Sequence, residues 1–137
     1  MDQLTVNLVQ QSWAQVTPIS DHAGKLFYQN LFAADPSLRP LFKGNTDEQA
    51  AKLIFMIGAA VGKLNDLATL VPILENLGKR HGNYGVAPAH YQTVGTALLQ
   101  TLGQGLGDAF TPAVSAAWAK VYAVIATTMM SAAEHGK

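Results

Sequence analysis

Residues 70–81 read Leu-Val-Pro-Ile-Leu-Glu-Asn-Leu-Gly-Lys-Arg-His, and the spacing inside this stretch decides the fold. Leu70, Leu74, Leu77 and His81 follow one another at intervals of four, three and four residues. Residues three and four apart stack on one face of an α-helix, so His81 closes an apolar helical stripe. The commoner role of such a histidine is structural, with a ring nitrogen satisfied by a backbone carbonyl. A neutral imidazole there can also ligate a metal, its second nitrogen donating to a carbonyl that fixes the tautomer. Spacing leaves both roles open.

The same period extends outward in both directions, and strand-like alternation is nearly absent. Val6, Val9, Trp13 and Val16 form one stripe. Tyr28, Leu31 and Phe32 form another, with Gly24 one turn ahead. Leu53, Ile57, Val61 and Leu64 continue a stripe that Gln49 begins. Tyr91, Val94, Leu98 and Leu102 make a fifth, and Val114, Trp118, Val121, Ile125 and Met129 a sixth, with Tyr122 beside Trp118. Pro36, Pro88 and Pro112 suit first helical positions, where a missing N–H costs nothing. Asp35 and Thr111 read as N-caps, Thr46 with Gln49 as a capping box, and Gly82, Gly103, Gly105 and Gly107 as helix ends. Helices are predicted near 3–17, 19–34, 36–42, 46–65, 69–82, 88–104 and 112–134. With no internal repeat or linker, they are expected to form one all-α domain over residues 1–137. The short segment 36–42 between longer helices argues against a plain four-helix bundle. It favours unequal helices crossing at roughly 50° around a pocket.

Composition narrows the function classes. Of 137 residues, 49% are apolar and 13% charged, as in a compact globule rather than a disordered chain. Nine basic side chains balance nine acidic ones, so no basic stripe exists to release counterions from a nucleic acid or to hold an anionic membrane. There is no cysteine, which excludes disulfides, thiolate ligation, iron–sulfur clusters and thioether attachment of a cofactor. A cysteine-free chain suits a reducing cytoplasm. Met1-Asp2-Gln3 is not the start of a signal peptide. The longest apolar run, Leu53 to Gly62, is far shorter than the ~20 residues that span a bilayer, so no integral membrane association is expected.

Among four histidines, His22 and His135 sit in polar surroundings, and His90 lies off the stripe of its helix. Tyr28 and Gln49 are the polar members of otherwise apolar faces. Taken singly, Tyr28 reads as a packing residue with its hydroxyl at the rim, Gln49 as half of the capping box, and Phe42 as core.

Together these residues carry a resemblance. Phe27-Tyr28-Gln29-Asn30-Leu31-Phe32, Asp35-Pro36 and Arg39-Pro40-Leu41-Phe42 are similar to the second and third helices of bacterial haemoglobins of the flavohaemoglobin class. Lys79-Arg80-His81, Tyr84-Gly85-Val86 and His90-Tyr91 with Val94-Gly95 resemble that class's proximal helix and the turn after it. Ala117-Trp118-Ala119-Lys120-Val121-Tyr122 resembles its last helix. The resemblance implies a globin fold and one haem b, with His81 as the iron ligand and Phe42 packed on the macrocycle. It implies distal hydrogen-bond donors at Tyr28 and Gln49, with apolar Leu53 beside the ligand. Lys52 becomes a propionate partner and Tyr91 a hydroxyl behind the proximal histidine. Leu77, Val86, Val94 and Tyr122 complete the cofactor's surroundings. One departure stands out. The class carries a glutamate on its last helix, at the register where this chain has Ala133. Glu134 follows one residue later, turned by about 100°.

The implied function is binding of O₂, or of NO or CO, for storage, delivery or scavenging. The alternative is nitric oxide dioxygenation with a separate reductase, since these residues hold no counterpart of a flavin- and nicotinamide-binding domain. A third reading is a haem-free globin fold in which His81 is only a core residue.

Overall fold

The computed structural model describes the backbone of residues 2–41, 46–83 and 88–135, and the side chains of the same residues except 41, 46, 81–83, 88 and 135. Among the described residues there are six α-helices, three 3-10 segments and no strand. The helices are α1 (Gln3–Val16), α2 (Ser20–Ala34), α3 (Thr46–Gly62), α4 (Leu67–Asn83), α5 (Pro88–Leu106) and α6 (Pro112–His135). The 3-10 segments are Thr17–Ile19, Pro36–Leu41 and Gly107–Ala109.

The helix starts follow capping chemistry. Asp2 accepts from the Thr5 amide at 2.8 Å and opens α1. Asp35 accepts from the Ser37 amide at 3.1 Å, and Thr111 from the Val114 amide at 3.2 Å, as their sequence positions predict. The proposed capping box rests on the Thr46 side chain, which lies outside the described residues. The segment expected as a helix near 36–42 is 3-10 over Pro36–Leu41, because Pro40 inside it has no N–H for an α-helical ladder. α4 begins two residues earlier than the periodicity indicates, at Leu67, because Asp66 caps it by accepting from the Thr69 amide at 3.3 Å. α3 stops at Gly62 rather than near residue 65, and Lys63 and Leu64 turn back onto Ala60 and Val61. α5 runs past Gly103 and Gly105. The glycine that ends it is Gly107, whose φ of +57° is the left-handed conformation glycine adopts without a Cβ penalty.

The predicted stripes meet in one core. Val9, Val16, Leu31, Leu38 and Val121 are almost fully enclosed. α6 is the central element and packs against α1, α4 and α5. Taken alone, Pro112–Glu134 is long and apolar enough to cross a membrane, with a mean hydropathy of 1.3 over its most apolar 18 residues. A search for uninterrupted apolar runs passes over it because Ser115, Lys120, Thr127 and Thr128 punctuate it. In the fold, its inner stripe of Val114, Trp118, Val121 and Met129 is buried in the core.

Polar ties hold the helices in register. The buried Trp118 Nε1 donates to Ser12 Oγ at 2.8 Å, while Trp13 tilts over Trp118 with ring centres 5.9 Å apart. Asn30 donates to Thr101 and Gln104, joining α2 to α5, and Gln10 donates to the Val61 carbonyl, joining α1 to α3. Ser12→Ala leaves the enclosed indole N–H without its acceptor. It is expected to lower the free energy of unfolding by about 1–3 kcal/mol, measured by urea denaturation.

Candidate functional site

The helices do not close completely. Between them lies a cavity of about 230 Å³, within a cleft whose total empty space, open side included, is about 1110 Å³. α2 contributes Phe27 and Tyr28 to its wall, and α3 contributes Leu53, Met56, Ile57, Ala60 and Val61. α4 contributes Leu74 and Leu77, and α5 contributes Tyr91, Val94 and Leu98. Trp118, Val121, Tyr122, Ile125 and Met129 of α6 complete it. Met56 stands at the mouth, with 37% of its surface in solvent. The wall is aliphatic and aromatic, with three phenol hydroxyls and one indole as its polar groups.

Each tyrosine is held differently. Tyr28 is buried, stacked on Phe32 at 5.7 Å and edge-on to Phe27 at 5.4 Å. The Arg39 guanidinium lies 5.2 Å from the far partner of that stack, Phe32. Tyr122 donates its hydroxyl to the Tyr91 backbone carbonyl. Its ring fits against α5 because residue 95 is glycine: a Cβ there would stand 2.6 Å from Tyr122 Cε2. Tyr91 is buried and lines the cavity, and its hydroxyl has no hydrogen-bond partner among the described residues. A buried hydroxyl of this kind is costly unless something that enters the cavity meets it. Burial pushes the Tyr28 phenol up to about 12 and raises Tyr91. Burial, then the neighbouring Tyr91, raises Tyr122 further. All three are neutral donors across the physiological range.

The fold gathers most of the residues that the sequence singled out. Tyr28, Leu53, Leu77, Tyr91, Val94 and Tyr122 all line the cavity. Gln49 lies on the first turn of α3, half-buried, and is not among the lining residues. Lys52 is exposed on α3. Phe42 and Val86 lie outside the described residues. The His81 backbone is in the last turn of α4, one helical turn past Leu77, and its side chain lies outside the described residues. Glu134 is exposed near the end of α6. Phe27, Met56 and Ala60 are lining residues that periodicity did not single out. Met56 and Ala60 follow Leu53 and Ile57 by three, a spacing that places them beside the predicted stripe. Phe27 precedes Tyr28, and nothing in its position distinguishes it from ordinary core.

A helical shell around an apolar pocket with a few inward hydroxyls defines a protein that encloses a large apolar cofactor and a small ligand. The globin family profile matches residues 25–129. Neuroglobins of Tetraodon nigroviridis and Danio rerio are each 32% identical to this chain over 136 residues, covering 89% of it and 86% of the relative. A flavohemoprotein of Bacillus subtilis is 29% identical over 129 residues, covering 92% of this chain and 32% of that longer protein. The chain belongs to the globin family. Its cofactor is haem iron, and it binds small diatomic ligands such as O₂. The cavity fits that group in chemistry: an apolar wall for the macrocycle, neutral hydroxyls, and the Tyr91 hydroxyl awaiting a partner.

The raised tyrosines set an alkaline limit. The folded chain keeps phenol protons that the unfolded chain releases near pH 10, the ordinary tyrosine value. Unfolding therefore loses protons above that pH, and stability falls as pH rises. In the cofactor-free protein, stability is expected to be independent of these groups below about pH 10 and to decline as the pH climbs toward about 12. Tyr28→Phe should flatten part of that decline in urea titrations run at successive pH values.

Proposed function

We propose that this chain is a single-domain haemoglobin of the flavohaemoglobin class that binds O₂ reversibly for storage, delivery or scavenging. The observation that carries the reading is Tyr28: a buried, neutral phenol, fixed by two aromatic neighbours, on the wall of an otherwise apolar cavity. Haem supplies the iron at which the diatomic ligand binds. His81, in the last turn of α4, would hold that iron, and a cysteine-free chain would bind the group non-covalently, as haem b. On the resemblance, Phe42 would pack on the macrocycle, and Lys52, exposed on α3, would be the partner of a propionate. Leu53 keeps water from the ligand's side.

Tyr28 would donate a hydrogen bond to the ligand and keep its proton, because burial pushes the phenol up to about 12. Gln49, on the first turn of α3, would be the second donor if its amide faces the ligand rather than capping the helix. Tyr28 needs little rearrangement, since the Phe27 and Phe32 rings already restrict its side chain. The finer resemblance supports the same reading. The chain is similar to Hell's Gate globin in length and in the Gln49 to Leu53 region. With Ala133 in place of a carboxylate and Glu134 turned to solvent, the proximal side lacks an acceptor that would make the histidine more basic. That favours holding a ligand over oxidative chemistry.

Nitric oxide dioxygenation is the second reading, favoured by the similarity to a flavohemoprotein. It requires an electron donor, which on this reading is a separate reductase. NO consumption that stays stoichiometric when a generic reductase is added would exclude it.

Acid-acetone should extract the haem, and His81→Ala should abolish the iron–imidazole stretching band. Tyr28→Phe is expected to speed O₂ release by roughly tenfold or more in stopped-flow measurements, from the loss of one strong hydrogen bond. Gln49→Leu is also expected to speed release. If it only lowers stability by about 1 kcal/mol, the amide belongs to helix capping.

A further inference from the structure

Glycine is a poor helix former, yet Gly78 stands inside α4 and is buried. The reason is α6. An ideal Cβ on Gly78 would lie 2.2 Å from the Met129 carbonyl oxygen, 2.6 Å from Met129 Cα and 2.7 Å from its carbonyl carbon. All three are backbone atoms, so no rotamer change on α6 relieves the overlap. α4 and α6 form the most extensive helix pair among the described residues, and this is where their backbones meet. On α6, Ala126 and Ala132 lie one turn to either side of Met129, and both are buried. The seam is thus closed by small residues on both helices.

The contact lies between two walls of the cavity. Leu77, the residue before Gly78, and Met129 both line it. Three residues after Gly78 comes His81, in the last turn of the same helix. A helix is stiff over one turn, so a shift at residue 78 carries to residue 81. To accept a Cβ, the helices must part by about 1 Å. Metal–ligand distances are fixed within about 0.2 Å, so such a shift is large for the turn that bears the ligand.

We propose that Gly78 is a positioning residue for the haem iron: its backbone contact with Met129 sets where the His81-bearing turn stands. The inference rests on His81 being the iron ligand.

The test uses ferrous haem-loaded protein and compares Gly78→Ala and Ala132→Val with Gly62→Ala, a control whose Cβ would meet nothing within 4 Å. The readouts are the iron–imidazole stretching band by resonance Raman, the rate of haem transfer to excess apomyoglobin, and far-ultraviolet circular dichroism. Gly78→Ala should keep its helical spectrum, shift the band and speed haem loss roughly tenfold or more. Ala132→Val widens the seam more gently and should move both readouts in the same direction by less. Gly62→Ala should move neither. A lower melting temperature with an unmoved band in the two seam variants overturns the proposal, and leaves Gly78 a packing role only. If Gly78→Ala fails to fold, Ala132→Val decides by the same band. An iron–imidazole band that survives His81→Ala is a separate failure. It removes His81 as the ligand, and this inference with it.

Discussion

An apolar space inside a helical protein has to be held open by its walls. The walls of an unfilled apolar space lose the contacts that close packing would give them, so the space between these helices is held open at the expense of the cofactor-free chain's stability. The bracing described above is what resists collapse. Trp118 is tied to Ser12, Tyr122 to the Tyr91 carbonyl, and α4 is closed onto α6 without intervening side-chain bulk at Gly78. Filling the same space with a haem replaces void with contacts, so cofactor binding and folding draw on one set of interactions.

The polar groups of the wall obey a related constraint. Each hydroxyl in an apolar cavity is either paired within the protein or left for what enters. Tyr122 is paired with a carbonyl and acts as a strut. Tyr91 is unpaired among the described residues and marks a place where the cavity can meet a guest. Burial also keeps all three phenols protonated, which makes them donors rather than anions. The site is therefore suited to a ligand that gains partial negative charge, without placing a formal charge near the cofactor.

The sequence made much of this legible. The three-and-four spacing of Leu70, Leu74, Leu77 and His81, and of the stripes around it, expresses which side of each helix must leave water, so it survives without knowledge of the fold. Caps at Asp35 and Thr111 are equally local, because the side chain and the amide it accepts from lie within three residues. The composition likewise removed thiol chemistry. The resemblance named Tyr28, Leu53, Leu77, Tyr91, Val94 and Tyr122, and the fold brings them to one cavity.

Other features depended on helices that are distant in sequence. Gly78 reads as a helix-weakening residue until the Met129 backbone is seen against it, and Gly95 as a breaker until the Tyr122 ring fills its place. Lys52 lies exposed, and Gln49 sits off the cavity wall, although their spacing from Leu53 suits either side of a pocket edge. Hydrophobic period specifies which face of a helix turns inward. How closely two inward faces approach, and which polar atom is left unpaired between them, depends on the packing of side chains from separate helices. By itself, the sequence determined the helices, their buried faces and the chemistry available. Only the tertiary structure decided where those faces leave a space and which hydroxyl waits within it.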